Sequence, residues 1–152
     1  MKTVLVVIDM QKDFTASSNK IAVKEIKRQI GLAKKREGPI VFVEYKDFGE
    51  TNPELMNLAL TEYDEVYQFE KYDDDGSKEI VEGLSEFGIS HKKLRVCGIN
   101  TDCCVLDTVV GLSERYPNTH IEVIKKGCAT EYGGSGWRRW RNHTKKSIIL
   151  VK

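Results

Sequence analysis

The sequence predicts an α/β fold: a three-layer sandwich in which a mostly parallel sheet is covered by helices on both faces, within one domain spanning residues 1–152. Strand-like apolar runs alternate along the chain with segments whose apolar residues recur every three or four positions. The first of these runs, VLVVI at Val4–Ile8, is continuous, which suits a parallel strand buried on both faces. No repeat, low-complexity tract or linker divides the 152 residues.

Taken in order, Thr3 to Asp9 is the first strand, and Asp9 ends it. An acid there lies where open α/β sheets place their ligands, although the same position suits a cap for the next loop. Asn19 to Arg36 is a helix with Val23, Ile26, Ile30 and Ala33 on one face, stopped by Gly38 and Pro39. Ile40 to Tyr45 is the second strand. Asn52 caps a short helix with Pro53 at its first position and Leu55, Met56 and Leu60 on its apolar side. Asp64 to Phe69 is the third strand, and Lys71 follows it.

Ser77 caps the next helix, with Ile80, Val81, Leu84 and Phe87 as its stripe and Gly88 as its end. Leu94 to Cys97 reads as a buried strand, after which Thr101 or Asp102 caps a helix that turns Val105, Leu106, Val109 and Leu112 to the sheet. His120 to Ile124 is the fifth strand, Gly127 to Gly136 a mobile loop, and Ser147 to Val151 the last short strand. Trp137 to Arg141 interleaves aromatic and basic residues. That pattern raises nucleic-acid binding, but Trp137 and Trp140 share a helical face, which favours packing on the sheet or on another subunit.

Charge and cysteine usage exclude several classes. Lys and Arg number 24 against 23 Asp and Glu, so bulk charge points to neither nucleic acid nor a membrane. No apolar run approaches the roughly 20 residues of a membrane span. The N-terminal run meets Asp9 and lacks a small-residue cleavage site, so a strand is expected there and the protein is expected to be cytoplasmic. The four cysteines are expected as reduced thiols. Without a C-x-x-C, and with the histidines scattered at His91, His120 and His143, no metal site and no cofactor are predicted. Asp73, Asp74 and Asp75 read as a solvated loop or helix entry, with a divalent-ion site as the minority reading because no liganding Glu or Asn lies at loop spacing.

Chemistry concentrates in LRVCGINTDCCVLDTVV, from Leu94 to Val110. Gly98 lets the backbone approach a neighbour closely, and Cys104 falls in the first turn of the helix that follows. Unpaired N–H groups and the positive end of the helix dipole favour a thiolate there and can hold an oxyanion.

GINTDCCV resembles the strand-turn-helix of the isochorismatase-like cysteine hydrolases, whose motif runs roughly G-x-x-T-x-x-C-V; position by position this puts the nucleophile on Cys104 rather than Cys103. VLVVIDMQKDF, from Val4 to Phe14, is similar to the family's opening strand ending in D-x-Q-x-D/N-F, and the family's lysine after the third strand falls on Lys71 in QFEKYDD. The resemblance implies a Rossmann-like sheet in the order 3-2-1-4-5-6, which brings the strands ending at Asp9 and Gly98 together at the switch point, with the loop carrying Lys71 folding back over them. It further implies a cis peptide between Ile99 and Asn100, Phe14 as an aromatic pocket wall, and a homo-oligomer.

The implied chemistry is hydrolysis of a small-molecule amide through a thioester. Cys104 attacks the carbonyl, Asp9 takes the thiol proton and returns it to the leaving amine, and Lys71 steadies the charged site. The N–H groups of Asn100 and Cys104 hold the oxyanion. Tyr45, Tyr132 and Trp137 join Phe14 as pocket candidates. Two departures narrow the subclass. Glu44, Tyr45, Lys46 and Asp47 replace the Asp and His cluster with which nicotinamidases hold a metal, and isochorismatase itself cleaves a vinyl ether without the thiol. Two other classes stay open: a catalytically silent binding or assembly module, and a redox protein using Cys103 and Cys104, for which helical spacing should point Cys103 away from the Cys104 pocket.

Overall fold

Along β1 (Val4–Ile8) successive side chains point to opposite faces, and both faces are dry. Val4, Val6 and Ile8 enter one apolar cluster, while Leu5 and Val7 enter another. The computed structural model describes residues 1–143 and 147–152. The remaining elements are α1 (Lys20–Lys35), β2 (Ile40–Tyr45), α2 (Pro53–Leu60), β3 (Val66–Lys71), α3 (Ser77–Glu86), β4 (Lys93–Ile99), α4 (Cys104–Arg115), β5 (His120–Ala129) and β6 (Ile148–Val151), with 3-10 helices at Thr15–Ser18 and Trp137–Asn142.

Each helix closes one of the two clusters. Ala22, Ile26 and Ile30 of α1, with Leu55 and Ala59 of α2, cover the face that carries Leu5, Val7 and Phe42. Ile80 and Leu84 of α3, and Val105, Val109 and Leu112 of α4, cover the face that carries Val4, Val6 and Ile8. The cap expected at Asn52 forms, accepting the N–H of Glu54 at 2.9 Å, and Asn19, where the first helix is expected to begin, caps it by accepting the N–H of Ala22 at 3.0 Å.

The six strands lie in the order β3-β2-β1-β4-β5-β6, and every pairing between them is parallel. Winding therefore reverses between β1 and β4, and a crevice opens at their carboxyl ends. Gly98 is fixed by this approach. Its φ is +128°, and a Cβ there would fall 2.1 Å from the carbonyl oxygen of Ile8. Gly98→Ala is expected to lose about 4 kcal/mol, combining backbone strain with overpacking, and urea unfolding would measure it.

Several local expectations are corrected. β5 continues to Ala129 rather than stopping at Ile124, because a register shift between Val96 and Gly98 lets Cys128 and Ala129 pair with Gly98 and Ile99 beyond the polar Lys125 and Lys126. Cys128 therefore lies on a strand, and the loop begins at Thr130. Ser77 does not cap α3; Asp75 accepts its N–H at 2.8 Å instead. Trp137–Asn142 is a 3-10 helix, whose turn of about three residues stacks Trp137 beside Trp140, with ring centroids 5.3 Å apart. Trp140 is buried and donates Nε1 to the carbonyl of Thr101 at 2.8 Å, tying this segment to the turn before α4. None of the described helices is long and apolar enough to cross a membrane.

Candidate active site

At the carboxyl end of β1, Asp9 takes a positive φ of 52° and turns its carboxylate into the crevice, where it is almost wholly buried. Lys71 is the last residue of β3, not a loop residue. Although two strands away, its long side chain crosses the strand ends to place Nζ 3.0 Å from Asp9 Oδ2. The lysine is fully buried, so its remaining donors must be satisfied internally. It donates to the carbonyls of Asp73 and Asp74 at 2.9 and 3.2 Å and lies 4.1 Å from the centre of the Tyr45 ring. The loop after β3 thus caps the ammonium rather than carrying it.

Cys104 opens α4 and is buried with only its edge exposed. The turn preceding it contains the cis peptide between Ile99 and Asn100. The N–H of Thr101 bonds to Ala129, and those of Cys103 and Val105 converge on the carbonyl of Asn100. Asn100 is buried, and its side chain accepts the N–H of Glu131 at 2.8 Å, locking the end of β4 to the loop after β5. Neither Thr101 nor Asp102 caps the helix. Cys103 occupies the cap position with φ −134° and ψ −100°, while Asp102 accepts from Thr130 Oγ1 at 2.7 Å.

That backbone conformation corrects the expected direction of Cys103. Outside helical geometry, its thiol turns toward Cys104, and the two sulfurs and a carboxylate oxygen of Asp74 all lie within 4.8 Å of one another. Cys104 Sγ donates to Asp74 Oδ1 at 3.6 Å. Asp74 is the site residue that sequence reasoning missed. Its only signal was its place in the acidic run just after Lys71, and a solvated loop explained that run equally well.

Burial pushes both central groups toward their protonated forms, to different extents. Burial pushes the Asp9 carboxyl up to about 6 despite the opposing pull of Lys71. Burial, and then the charge of Asp9, push the Cys104 thiol well above the ordinary thiol range. The helix dipole favours a thiolate by only about 1 kcal/mol, less than one pKa unit, whereas desolvation moves buried groups by about 3–5 units. Burial wins, so the resting pair is a neutral thiol beside a carboxylate near its own pKa.

The aromatic candidates divide. Phe14 stacks on Phe48 at 4.6 Å, and Phe48 meets Tyr45 edge-on at 5.1 Å, which makes a continuous wall ending above Lys71. Phe48 was not anticipated. Gln11, buried in the same motif, holds this wall by donating to the carbonyls of Tyr45 and Gly49, both at 2.8 Å, and accepting the Tyr45 N–H at 2.7 Å. Burial, reinforced by Asp74 and Cys104, pushes the Tyr45 phenol up to about 12. Tyr132 is exposed, and its phenol is raised by burial and then by the charges of Cys103 and Glu131. Trp137 packs against Trp140 with Lys125 over its ring.

A family model, the isochorismatase domain, matches residues 3–134. Among solved structures, a nicotinamidase from Staphylococcus aureus superposes with a TM-score of 0.79 at 18% identity, covering 99% of this chain and 100% of its own. An N-carbamoylsarcosine amidase from Thermoplasma acidophilum gives 0.75 at 18% identity, over 99% of this chain and 95% of its own. A ribonuclease from Caenorhabditis elegans gives 0.80 at 18% identity, over 99% of this chain and 76% of its own. No curated protein matches the chain in sequence. At such identities the superpositions speak for the fold alone, but the family model spans most of the chain and coincides with the strands and turn that carry Asp9, Lys71 and Cys104: the protein belongs to the isochorismatase family of hydrolases.

Proposed function

We propose that the protein is a cysteine amidohydrolase acting on a small amide. The observation that carries this reading is the convergence of a thiol at a helix start with a buried carboxylate, the carboxylate itself held 3.0 Å from a buried ammonium. Asp9 takes the Cys104 proton as the sulfur attacks the substrate carbonyl, and the N–H groups of Asn100 and Cys104 receive the developing oxyanion. Asp9 then protonates the leaving amine, and water, deprotonated by the same carboxylate, cleaves the thioester.

Asp9 suits both halves of this cycle better than Asp74. An acid near 6 is matched to proton exchange at neutral pH, while Asp74 is solvent-exposed. Lys71, paired to Asp9, keeps the carboxylate ionised enough to accept the proton. The wall of Phe14, Phe48 and Tyr45 supplies a flat apolar surface for a small substrate, and the structural neighbours that hydrolyse amides on this fold lend the subclass support.

Turnover on a panel of small primary amides, followed by ammonia release, tests this reading, with an acid quench to capture an acyl mass on the Cys104 peptide. Because Asp9 must be ionised to accept the proton, kcat/KM is expected to fall tenfold per pH unit below about 6. Ammonia release with no Cys104 adduct, or a flat acid limb, would refute the assignment. An intact fold with neither turnover nor adduct across the panel would point to the silent binding module instead.

A further inference from the structure

We propose that Asp74, Cys103 and Cys104 form a binding site for a thiophilic divalent cation of the zinc type. This site is distinct from the Asp and His cluster that nicotinamidases use, and no spacing in the sequence announces it. Its three ligand atoms, two sulfurs and one carboxylate oxygen, all lie within 4.8 Å of one another. Zinc takes thiolate at about 2.3 Å and carboxylate oxygen at about 2.0 Å, and at tetrahedral angles these lengths separate sulfur from oxygen by about 3.5 Å. Cys104 Sγ and Asp74 Oδ1 stand 3.6 Å apart. One edge of the coordination polyhedron is therefore already formed, and closing the others requires only small side-chain rotations.

The surroundings suit such a cation. Two sulfurs with one oxygen favour a soft or borderline metal over magnesium or calcium. Asp74 is exposed and Cys103 half-buried, so the ion has a path in from solvent, which also supplies the fourth ligand. The neighbouring ammonium of Lys71 is already neutralised by Asp9, which lowers the repulsion an incoming cation would meet. The Asp9 carboxylate, buried beside Cys104, adds negative charge to the surroundings of the site. Binding converts two S–H groups to metal thiolates and releases two protons to solvent. No oxidant or reductant is involved.

The site requires no reaction, but its consequence rests on the proposed function: a filled site withdraws the Cys104 sulfur, so the cation is an inhibitor that a chelator reverses. Titration of the reduced protein with Co(II), then displacement by Zn(II), reads the binding without any substrate. One Co(II) per chain should produce a near-ultraviolet thiolate charge-transfer band with two-sulfur intensity. Cys103→Ser should halve that band and weaken Zn(II) about a hundredfold, and Asp74→Asn should weaken it about tenfold.

Zn(II) should also slow alkylation of Cys103 and Cys104 in the unaltered protein, by peptide mass, while leaving Cys97 and Cys128 unchanged. This footprint decides the matter even if a variant fails to fold. No charge-transfer band, a band unaltered in Cys103→Ser, or protection found at Cys97 and Cys128 would each overturn the site. A site that binds as described in a protein that hydrolyses no amide would leave the metal inference standing and remove only its inhibitory consequence.

Discussion

Cys104→Ala is expected to lower amide turnover by at least about 10⁴-fold while leaving the fold in place. A nucleophile that forms the covalent intermediate has no substitute among its neighbours, and removing such a residue disables the whole assembly rather than one increment of it. The structural cost should stay within about 1 kcal/mol, since only the sulfur is lost from a position at the start of α4. Urea unfolding and ammonia release together separate the two effects. Cys104→Ser should be nearly as inactive, because a carboxylate titrating near 6 is too weak a base to activate an ordinary hydroxyl. Activity persisting in Cys104→Ala would place the chemistry elsewhere and return the protein to the thiol-independent branch of its family.

The second large effect is expected at Lys71. Lys71→Met keeps most of the buried stem but removes an ammonium that touches Asp9, two backbone carbonyls and the Tyr45 ring. Breaking a buried pair from one side costs about 3–5 kcal/mol, because the partner charge remains in low dielectric. Two consequences follow for pH. Lys71 holds the Asp9 carboxyl down against burial, so its loss raises that carboxyl above about 6 and moves the acid limb of kcat/KM to higher pH. The folded-state pKa of Asp9 then exceeds the unfolded value further than before. Stability missing at neutral pH should therefore return as the pH falls through the raised pKa, where the folded state takes up a proton that the unfolded chain does not. Urea midpoints and pH–rate profiles check both. A variant of unchanged stability, or one whose acid limb stays in place, would show that the 3.0 Å contact does not control Asp9.

These expectations rest on features of unequal legibility. VLVVI, the amphipathic spacing of α1 and α4, and the cap at Asn52 are local patterns, and each of those elements forms where the chain alone predicts it. Asp9, Lys71 and Cys104 were legible because they stand in short motifs tied to strand ends, and the alternation of strands and helices brings such ends to one edge of the sheet. The aromatic wall was half legible: Phe14 and Tyr45 were named, but Phe48 joins them only because Gln11 fastens the loop after β2 beneath it.

What the sequence by itself determined is thus the layered α/β architecture and the placing of Asp9, Lys71 and Cys104, the residues proposed here for acyl transfer, at strand ends that meet at one edge of the sheet. Tertiary structure alone decided how those residues are tuned. Asp74 stands against Cys104 because the loop after β3 closes over the Lys71 ammonium, and Cys103 faces the same crevice because the turn before α4 abandons helical geometry. The thiol is held neutral because burial outweighs the helix dipole. Sequence periodicity records which face of an element is apolar; desolvation and charge proximity depend on what the other elements bring to that face, and they exist only once the chain has folded.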